Sequence, residues 1–169
     1  MKRVMKPLFW ILISVFLIIG MMAALVALME HKSSKRPDVI FQTLSDDSVK
    51  LDQIADDKPM LVNLWATWCP PCIREMPMLQ QAQQANPDIT FVFVNQGEQT
   101  ETVNRFLKDS GLNLHNVLLD SKGALAQVTA SMALPTTLLY NAKGEQVGLH
   151  RSQLSTEQLN EMLKTLSVD

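Results

Sequence analysis

The stretch Trp65-Ala66-Thr67-Trp68-Cys69-Pro70-Pro71-Cys72 holds the only two cysteines of this 169-residue chain. The apolar run Met60 to Ala66 leads into it and predicts a buried strand, and a helical pattern from Ile73 to Ala85 follows it. The cysteines therefore lie where a strand meets a helix N-terminus, whose free N–H groups and dipole stabilise a thiolate. Because the thiolate is the species that attacks disulfides, this placement favours redox chemistry. We expect Cys69 to be the exposed nucleophile and Cys72, one turn further in, to be the resolving thiol.

A Cys-x-x-Cys pair has two other common uses, and both fit this sequence less well. A zinc site needs four ligands, and the three histidines, His31, His115 and His150, are scattered without ligand spacing. A structural disulfide between residues so close together would remove little entropy from the unfolded chain. A tryptophan directly before the pair and its strand-to-helix position favour redox chemistry instead. The sequence therefore predicts no metal and no cofactor beyond a redox-active Cys69–Cys72 disulfide.

A long apolar run lies near the N-terminus. Residues 8–29 carry no charge over 22 positions, and only Ser14 and Gly20 interrupt their apolar character. At about 1.5 Å per residue a helix of this length is roughly 33 Å long, enough to cross a bilayer. A cleaved signal peptide is the alternative, but its apolar core is usually shorter and this run lacks a small-x-small cleavage site. We predict a cytoplasmic tail over 1–7, a transmembrane anchor over 8–29, a linker over 30–37 and a folded domain over 38–169.

The charges are unevenly distributed along the chain. Three basic residues precede the apolar run and three follow it within the linker, so the positive-inside count is a tie. The N-terminal amine tips this count slightly toward a cytoplasmic N-terminus. From Pro37 onward the chain has nine Lys/Arg against sixteen Asp/Glu, a net charge of −7. An acidic domain of this kind argues against nucleic-acid binding.

The rest of the chain alternates between strand and helix patterns. Asp52 is the expected cap of the first short helix, Pro77 should kink the helix that follows the cysteines, and Gly111 should stop the next one. Ser155 and Gln158 form a capping box for the last helix. This alternation is typical of an α/β sheet with helices on both faces. The predicted strands are 39–44, 49–51, 60–66, 89–95, 117–120, 134–140 and 145–150, and the predicted helices are 52–57, 73–85, 100–110, 124–131 and 155–166.

Three of these features together resemble the thioredoxin fold: Trp68-Cys69-Pro70-Pro71-Cys72, Pro77 in the following helix, and Leu134-Pro135-Thr136 before a late strand. The closer resemblance is to its membrane-anchored TlpA-like branch, which includes the ResA and CcmG thiol-disulfide reductases of cytochrome c maturation. It covers the chain from Val39 onward and includes an N-terminal β-hairpin. The matching stretches are 63–69, 74–77, 94–98 and 134–137.

The resemblance implies a domain on the periplasmic, extracytoplasmic side of the inner membrane, which decides the orientation. It also implies that Pro135 is cis and faces the cysteines. A cis bond there would leave the backbone of Leu134 open beside Cys69, free to pair with an extended substrate segment. An ordinary trans proline opening a strand is the alternative. The expected substrate contacts are Trp68, Pro70, Pro71, Leu134 and Thr136.

Asn63 departs from thioredoxin itself, which is expected to carry a buried Asp at this position. An amide cannot carry protons at neutral pH, so the candidate replacement is Glu75, one turn after Cys72 on the same helix. A partly buried carboxylate there could accept the Cys72 proton and would raise the pKa of both thiols. A solvated helix glutamate is the alternative. Asn63 and Pro77 are the expected structural residues of the site.

The direction of electron flow is left open by the dithiol itself. The predicted membrane anchor and the family resemblance favour a protein-disulfide reductase. It would draw electrons from a membrane thiol transporter and act on apocytochrome c or another exported protein. A thiol oxidase or isomerase on the same fold is one alternative, and a non-catalytic haem- or protein-binding chaperone is another. A thiol peroxidase is disfavoured because Ala66 occupies the place of its usual Thr.

Overall fold

The computed structural model describes residues 13–22 and 35–167. The chain divides into two compact units, residues 1–33 and 34–169. In the first unit, residues 13–22 are helical (α1), and their large apolar side chains, from Val15 to Met22, are exposed. No helix within the described ranges has both the length and the apolar character needed to cross a membrane. The predicted span over 8–29 extends beyond the described residues at both of its ends.

The second unit contains a seven-stranded mixed sheet with strand order β2-β1-β5-β4-β3-β6-β7. Strands β3, β4 and β5 are parallel, and the other pairs are antiparallel. The strands are β1 (Phe41–Thr43), β2 (Ser48–Val49), β3 (Met60–Trp65), β4 (Thr90–Gln96), β5 (Val117–Asp120), β6 (Thr136–Tyr140) and β7 (Gln146–His150). The helices are α2 (Leu51–Ala55), α3 (Pro70–Ala85), α4 (Thr100–Ser110), α5 (Ala124–Val128) and α6 (Thr156–Ser167).

The central strand β3 is buried along its whole length and separates two hydrophobic cores. Alternate residues of a strand point to opposite faces, so Leu61 and Trp65 belong to one core and Val62 and Leu64 to the other. The first core includes buried residues of α3, α4 and α6, and the second includes those of α2 and α5. The predicted α/β architecture with helices on both faces is confirmed.

Parallel pairing determines what lies beside the active-site motif. Trp65, the last residue of β3, is opposite Asn95 near the end of β4. The motif therefore leaves the sheet at the same edge as the segment that follows β4. Antiparallel β6 begins at this edge, since Thr136 is opposite Leu64. The sheet thus gathers the Cys69 loop, the segment after β4 and the segment before β6 at one edge.

Several predicted boundaries need correction. Lys50, not Asp52, is the N-cap of α2, whose first residue Leu51 was expected to close a strand. Instead, Asp52 accepts a hydrogen bond from Arg36 Nε at 2.6 Å. Helix α5 ends at Val128 rather than at residue 131, because Ala130 adopts a left-handed backbone with a φ of 50°.

Other predicted boundaries are confirmed. Helix α4 and strand β5 have the predicted ends, and Gly111 stops α4 in the left-handed conformation. Ser155 and Gln158 form the predicted capping box of α6 through reciprocal hydrogen bonds of 2.9 and 3.2 Å. Helix α3 continues through the exposed Pro77, so this proline does not end the helix. The kink expected there stays a prediction.

Candidate active site

Cys69 and Cys72 are joined by a disulfide with an S–S distance of 2.03 Å. Cys69 is the N-cap of α3, and Pro70 and Pro71 occupy the first two helical positions. Proline is favoured in a first helical turn, because its missing N–H would have no intrahelical acceptor there. The helix therefore begins three residues earlier than the predicted Ile73. The pair lies at the junction between a strand and a helix N-terminus, as predicted.

The expectation that Cys69 is exposed is wrong for this disulfide form. Its side chain is 3% exposed and that of Cys72 is fully buried. The Cys69 sulfur is bonded to Cys72 and also accepts the Cys72 backbone N–H at 3.4 Å, so it lies against the first turn of the helix. The difference between the two cysteines remains, because Cys69 lines an open cleft and Cys72 does not.

The cleft beside Cys69 has a volume of about 560 Å³. Its surface is largely apolar, with Trp68 67% exposed and Met132 76% exposed. Four of the five predicted substrate contacts line it: Trp68, Pro70, Pro71 and Leu134. The remaining lining residues are Gln96, Gly97, Ser121, Lys122, Gly123, Ala126, Gln127, Ser131 and Met132.

The Leu134–Pro135 peptide bond is cis, as predicted. Leu134 is partly exposed and lines the cleft, whereas Pro135 is buried behind it. Thr136 was expected to contact substrate, but its side chain is buried and its hydroxyl donates to the Ala133 carbonyl at 2.7 Å. Its hydroxyl therefore stabilises the turn before β6 and does not line the cleft.

Glu75 lies on the buried face of α3 with Cys72, three residues along the helix, and its side chain is 1% exposed. This burial excludes the alternative of a solvated surface carboxylate. One carboxylate oxygen accepts the Leu154 backbone N–H at 2.7 Å and the other accepts Asn63 Nδ2 at 2.9 Å. Loss of solvation raises the pKa of Glu75 above its ordinary value, and the two hydrogen bonds oppose this effect. Residues three apart on a helix are neighbours, so Glu75 is close enough to influence Cys72.

Asn63 connects Glu75 to the sheet. Its side chain is fully buried, and its amide nitrogen donates to both Glu75 and the Thr137 hydroxyl, the latter at 3.1 Å. Its own carbonyl oxygen has no hydrogen-bond partner among the described residues. The amide therefore acts as a donor toward Glu75, which is the role expected beside a buried carboxylate.

Sequence reasoning missed Glu98. Its carboxylate accepts the Thr67 backbone N–H and Asn95 Nδ2, both at 2.7 Å, and also the Thr67 hydroxyl. These bonds tie the residue before Trp68 to the end of β4. The stretch 94–98 was recognised only as part of the family resemblance. A carboxylate in the loop directly after a buried strand is a signal that could have identified Glu98 as a site residue.

Asp120 directly precedes the cleft residues Ser121, Lys122 and Gly123. Its buried carboxylate accepts the backbone N–H groups of Ala124 and Leu125, both at 2.8 Å, and so fixes the start of α5. Gln96 Nε2 also donates to it, at 3.4 Å. Within the described residues no group of three metal-ligating side chains is close enough to hold a metal ion.

The chain is similar to known proteins over the region that contains this site. The Redoxin family matches residues 31–166. The thioredoxin-like protein YneN of Bacillus subtilis is 32% identical over 136 residues, 79% of each chain. The thiol-disulfide oxidoreductase ResA of Halalkalibacterium halodurans is 28% identical over 75% of this chain and 72% of its own.

Solved structures agree with this similarity. StoA from Bacillus subtilis is 29% identical, with a TM-score of 0.63 over 74% of this chain and 95% of its own. A secreted Mycobacterium tuberculosis disulfide oxidoreductase, described as homologous to Escherichia coli DsbE, is 25% identical, with a TM-score of 0.66 over 76% of this chain and 96% of its own.

Proposed function

The chain belongs to the Redoxin family, and from that premise we propose that it is a thiol-disulfide oxidoreductase that reduces protein disulfides through Cys69 and Cys72. The observation that carries this proposal is the contrast between the two sulfurs. Cys69 caps α3 and lines an apolar cleft, while Cys72 is buried on the helix face that carries Glu75. This contrast supports a role for Cys69 as the thiol that meets the substrate and for Cys72 as the thiol that loses its proton inside the protein.

The reaction follows from this arrangement. In the reduced protein the Cys69 thiolate attacks one sulfur of a substrate disulfide, forms a mixed disulfide and releases the other substrate sulfur as a thiolate, which takes a proton. Cys72 then loses its proton to Glu75 and attacks the Cys69 sulfur. This step breaks the mixed disulfide, forms the Cys69–Cys72 bond and releases the second substrate sulfur as a thiolate, which takes a proton. Two electrons pass from the dithiol to the substrate.

Glu75 suits the role of proton acceptor for a physical reason. A carboxylate with a raised pKa holds a proton more firmly than a solvated one, so proton transfer from a thiol is less unfavourable. The hydrogen bonds from Asn63 and Leu154 keep its oxygens in place through the cycle. No metal or prosthetic group is needed for either step.

Trapping the mixed disulfide tests the proposal. In cells that express the full chain, Cys72→Ala should accumulate adducts that a reductant releases, because Cys69 can attack but no resolving thiol remains. Cys69→Ala is the matched control and should accumulate far fewer. Non-reducing gel electrophoresis followed by mass spectrometry identifies the captured proteins. Equal adducts with both variants, or none with either, would contradict the proposed reaction.

The direction of electron flow needs its own measurement. A reductase requires a midpoint potential near that of thioredoxin, roughly −270 mV, whereas an oxidase or isomerase has a potential well above it. Equilibration of the full chain with thiol–disulfide buffers measures this value. A chaperone without redox activity would retain its function after Cys69→Ser. These two results separate the three candidate activities.

For the location we propose a single-pass anchor in the inner membrane with the catalytic domain on the extracytoplasmic side. The uncharged run over 8–29, the exposed apolar residues of α1 and the likeness to the anchored TlpA-like branch support this proposal. A membrane thiol transporter would then supply electrons, and apocytochrome c or another exported protein would receive them. A reporter that is active only in the periplasm, fused after Asp169, should give signal. A soluble product that lacks residues 1–29 would defeat the anchor.

A further inference from the structure

The cleft beside Cys69 differs in charge from the domain around it. Residues 37–169 carry a net charge of −7. The cleft lining contains no acidic residue, and Lys122 is its one basic residue. Glu98 and Asp120, which neighbour the lining residues Gly97 and Ser121 along the chain, do not line the cleft, and both carboxylates accept hydrogen bonds from backbone N–H groups. The cleft therefore presents a positive charge within an acidic domain.

The backbone of Lys122 is held in place although its side chain is exposed. Gln127 Nε2 donates to the Lys122 carbonyl at 3.1 Å, and Gly123, the next residue, is the N-cap of α5 with a φ of 64°. Among the described residues Lys122 forms no ion pair. Its ammonium group is therefore available to a substrate without first breaking an internal contact.

The remaining surface of the cleft is suited to an extended peptide. Trp68 and Met132 offer exposed apolar surface near Cys69. Gln96 and Gln127 also line the cleft; their Nε2 atoms donate within the protein, and their side-chain carbonyl oxygens can accept from a peptide N–H. We propose that Lys122 selects substrate segments in which a carboxylate lies within a few residues of the target cysteine. This inference rests on the proposed reductase activity and names its substrate class: extended, cysteine-containing segments with an apolar residue and an acidic residue nearby.

The expected preference is modest. Both charges would be partly solvated, and exposed ion pairs contribute little, which corresponds to about a two- to fivefold difference in kcat/KM. The preference should shrink as salt is added, because the charges are screened. Lys122 thus tunes which segments react fastest and does not decide whether reaction occurs.

A peptide series tests the inference. Each peptide carries one cysteine in a mixed disulfide with thionitrobenzoate, whose release is followed by its absorbance. A single Glu is moved through the positions on either side of the cysteine, and each Glu peptide is matched by a Gln peptide. With the reduced full-length wild type, Glu should be favoured over Gln about two- to fivefold at one or two of these positions.

Two variants assign the preference to Lys122. Lys122→Gln should remove it, and Lys122→Glu should reverse it, so that a Lys peptide is favoured at the same position. Lys143→Glu is the matched control, because it makes the same charge change on an exposed residue outside the cleft lining and should keep the wild-type preference. An equal effect of Lys143→Glu would mean that net charge, and not Lys122, sets the preference.

The outcomes separate this inference from the proposed function. Absence of any Glu preference in the wild type, or its persistence in Lys122→Glu, overturns the substrate class. Reduction of the Gln peptides by the wild type and by Lys143→Glu reports the reductase activity itself. If those peptides are reduced, the proposed function stands even where the substrate class falls. If none is reduced, the proposed function falls as well.

Discussion

Globular proteins usually bury apolar side chains and expose polar ones, and the two sides of the Cys69–Cys72 disulfide do the opposite. On the outer side, Trp68 and Met132 leave more than half of their apolar surface exposed. On the inner side, Asn63, Glu75 and Thr137 form a polar cluster that is nearly or fully buried. Exposed apolar groups and buried polar groups both make a protein less stable than buried apolar groups and exposed polar groups would.

This reversal lowers stability, and the proposed redox role of the site would account for it. The inner cluster tolerates its burial only because each carboxylate oxygen of Glu75 has a hydrogen-bond donor. The outer surface needs no such compensation, since an apolar side chain in water has no unsatisfied polar group. Changes on the inner side should therefore alter folding free energy strongly, and changes on the outer side should alter binding. The following variants test this contrast.

The largest effect is expected from Asn63→Asp. At neutral pH this change replaces the donor to Glu75 with a second buried carboxylate, in a place where the present contact is 2.9 Å long. An uncompensated buried charge costs about 3–5 kcal/mol, so the free energy of unfolding should fall by that amount. Urea denaturation of the full chain at pH 7 measures it.

The double variant Asn63→Asp/Glu75→Gln is the matched control. It exchanges the acid and the amide, so the new amide at position 75 can donate to the new carboxylate at position 63 while its carbonyl oxygen accepts the Leu154 N–H. Most of the lost stability should return, because one buried charge is again paired with donors. A cost below about 1 kcal/mol for Asn63→Asp alone would show that the two side chains are not coupled.

Glu75→Gln is expected to change how stability depends on pH. Because the pKa of Glu75 is raised, its full contribution is present below its ordinary value of 4.5 and is lost as the pH rises through the folded-state pKa. Gln does not titrate. The stability of the variant relative to wild type should therefore rise from about pH 4.5 upward, by at most about 1.4 kcal/mol per pH unit, and then level off.

A second measurement on the same variant reports the chemistry. In the reduced wild type, alkylation near neutral pH should label Cys69 before Cys72. Removing the Glu75 charge removes its repulsion of a thiolate, so alkylation of Cys69 should become faster in Glu75→Gln. The resolution of the mixed disulfide should become slower, because the local proton acceptor is lost. A pH-independent stability difference together with unchanged rates would contradict the assigned role.

The sequence identified the parts of this site that depend on local pattern. The apolar run predicted β3 and the Cys-x-x-Cys spacing predicted the disulfide, whereas the cis Pro135 was implied by the family resemblance. Glu75 was found from its spacing to Cys72. Its burial could not be read from the helix alone, because a helix does not show what packs against it; one hydrogen-bond donor to Glu75 is the backbone of Leu154, 79 residues further along the chain.

The errors on Glu98 and Thr136 originate in the way the strands assemble, and the error on Cys69 originates in local packing. Glu98 reaches Thr67 only because β4 lies beside β3, an adjacency that strand patterns do not specify. Thr136 was expected to contact substrate, but it is the first residue of β6 and its side chain is buried. The exposure of Cys69 depends on how its sulfur packs against α3, which spacing along the chain cannot indicate.

Glu98→Gln should have a smaller effect than Asn63→Asp, since Glu98 is only partly buried. Gln keeps one acceptor but turns an amide toward Thr67 or Asn95, which are both donors. The loss should be about 1–2 kcal/mol in the free energy of unfolding. Glu101→Gln, an exposed change in the first turn of α4, should cost only a few tenths of a kcal/mol. If Glu98→Gln and Glu101→Gln lowered the free energy of unfolding equally, the hydrogen bonds of Glu98 would not stabilise the site.

The smallest effect on stability is expected on the outer side of the disulfide, from Trp68→Ala. The indole is 67% exposed, so little of its apolar surface is buried on folding, and the free energy of unfolding should change by less than about 0.5 kcal/mol. The same side chain lines the cleft, so KM for peptide disulfides should rise several-fold, with a smaller change in kcat. Trp68→Phe keeps an aromatic ring and should recover part of the loss. If Trp68→Ala destabilised the fold as much as Glu98→Gln while KM stayed constant, the outer surface would belong to the folding core, and the contrast between the two sides of the disulfide would disappear.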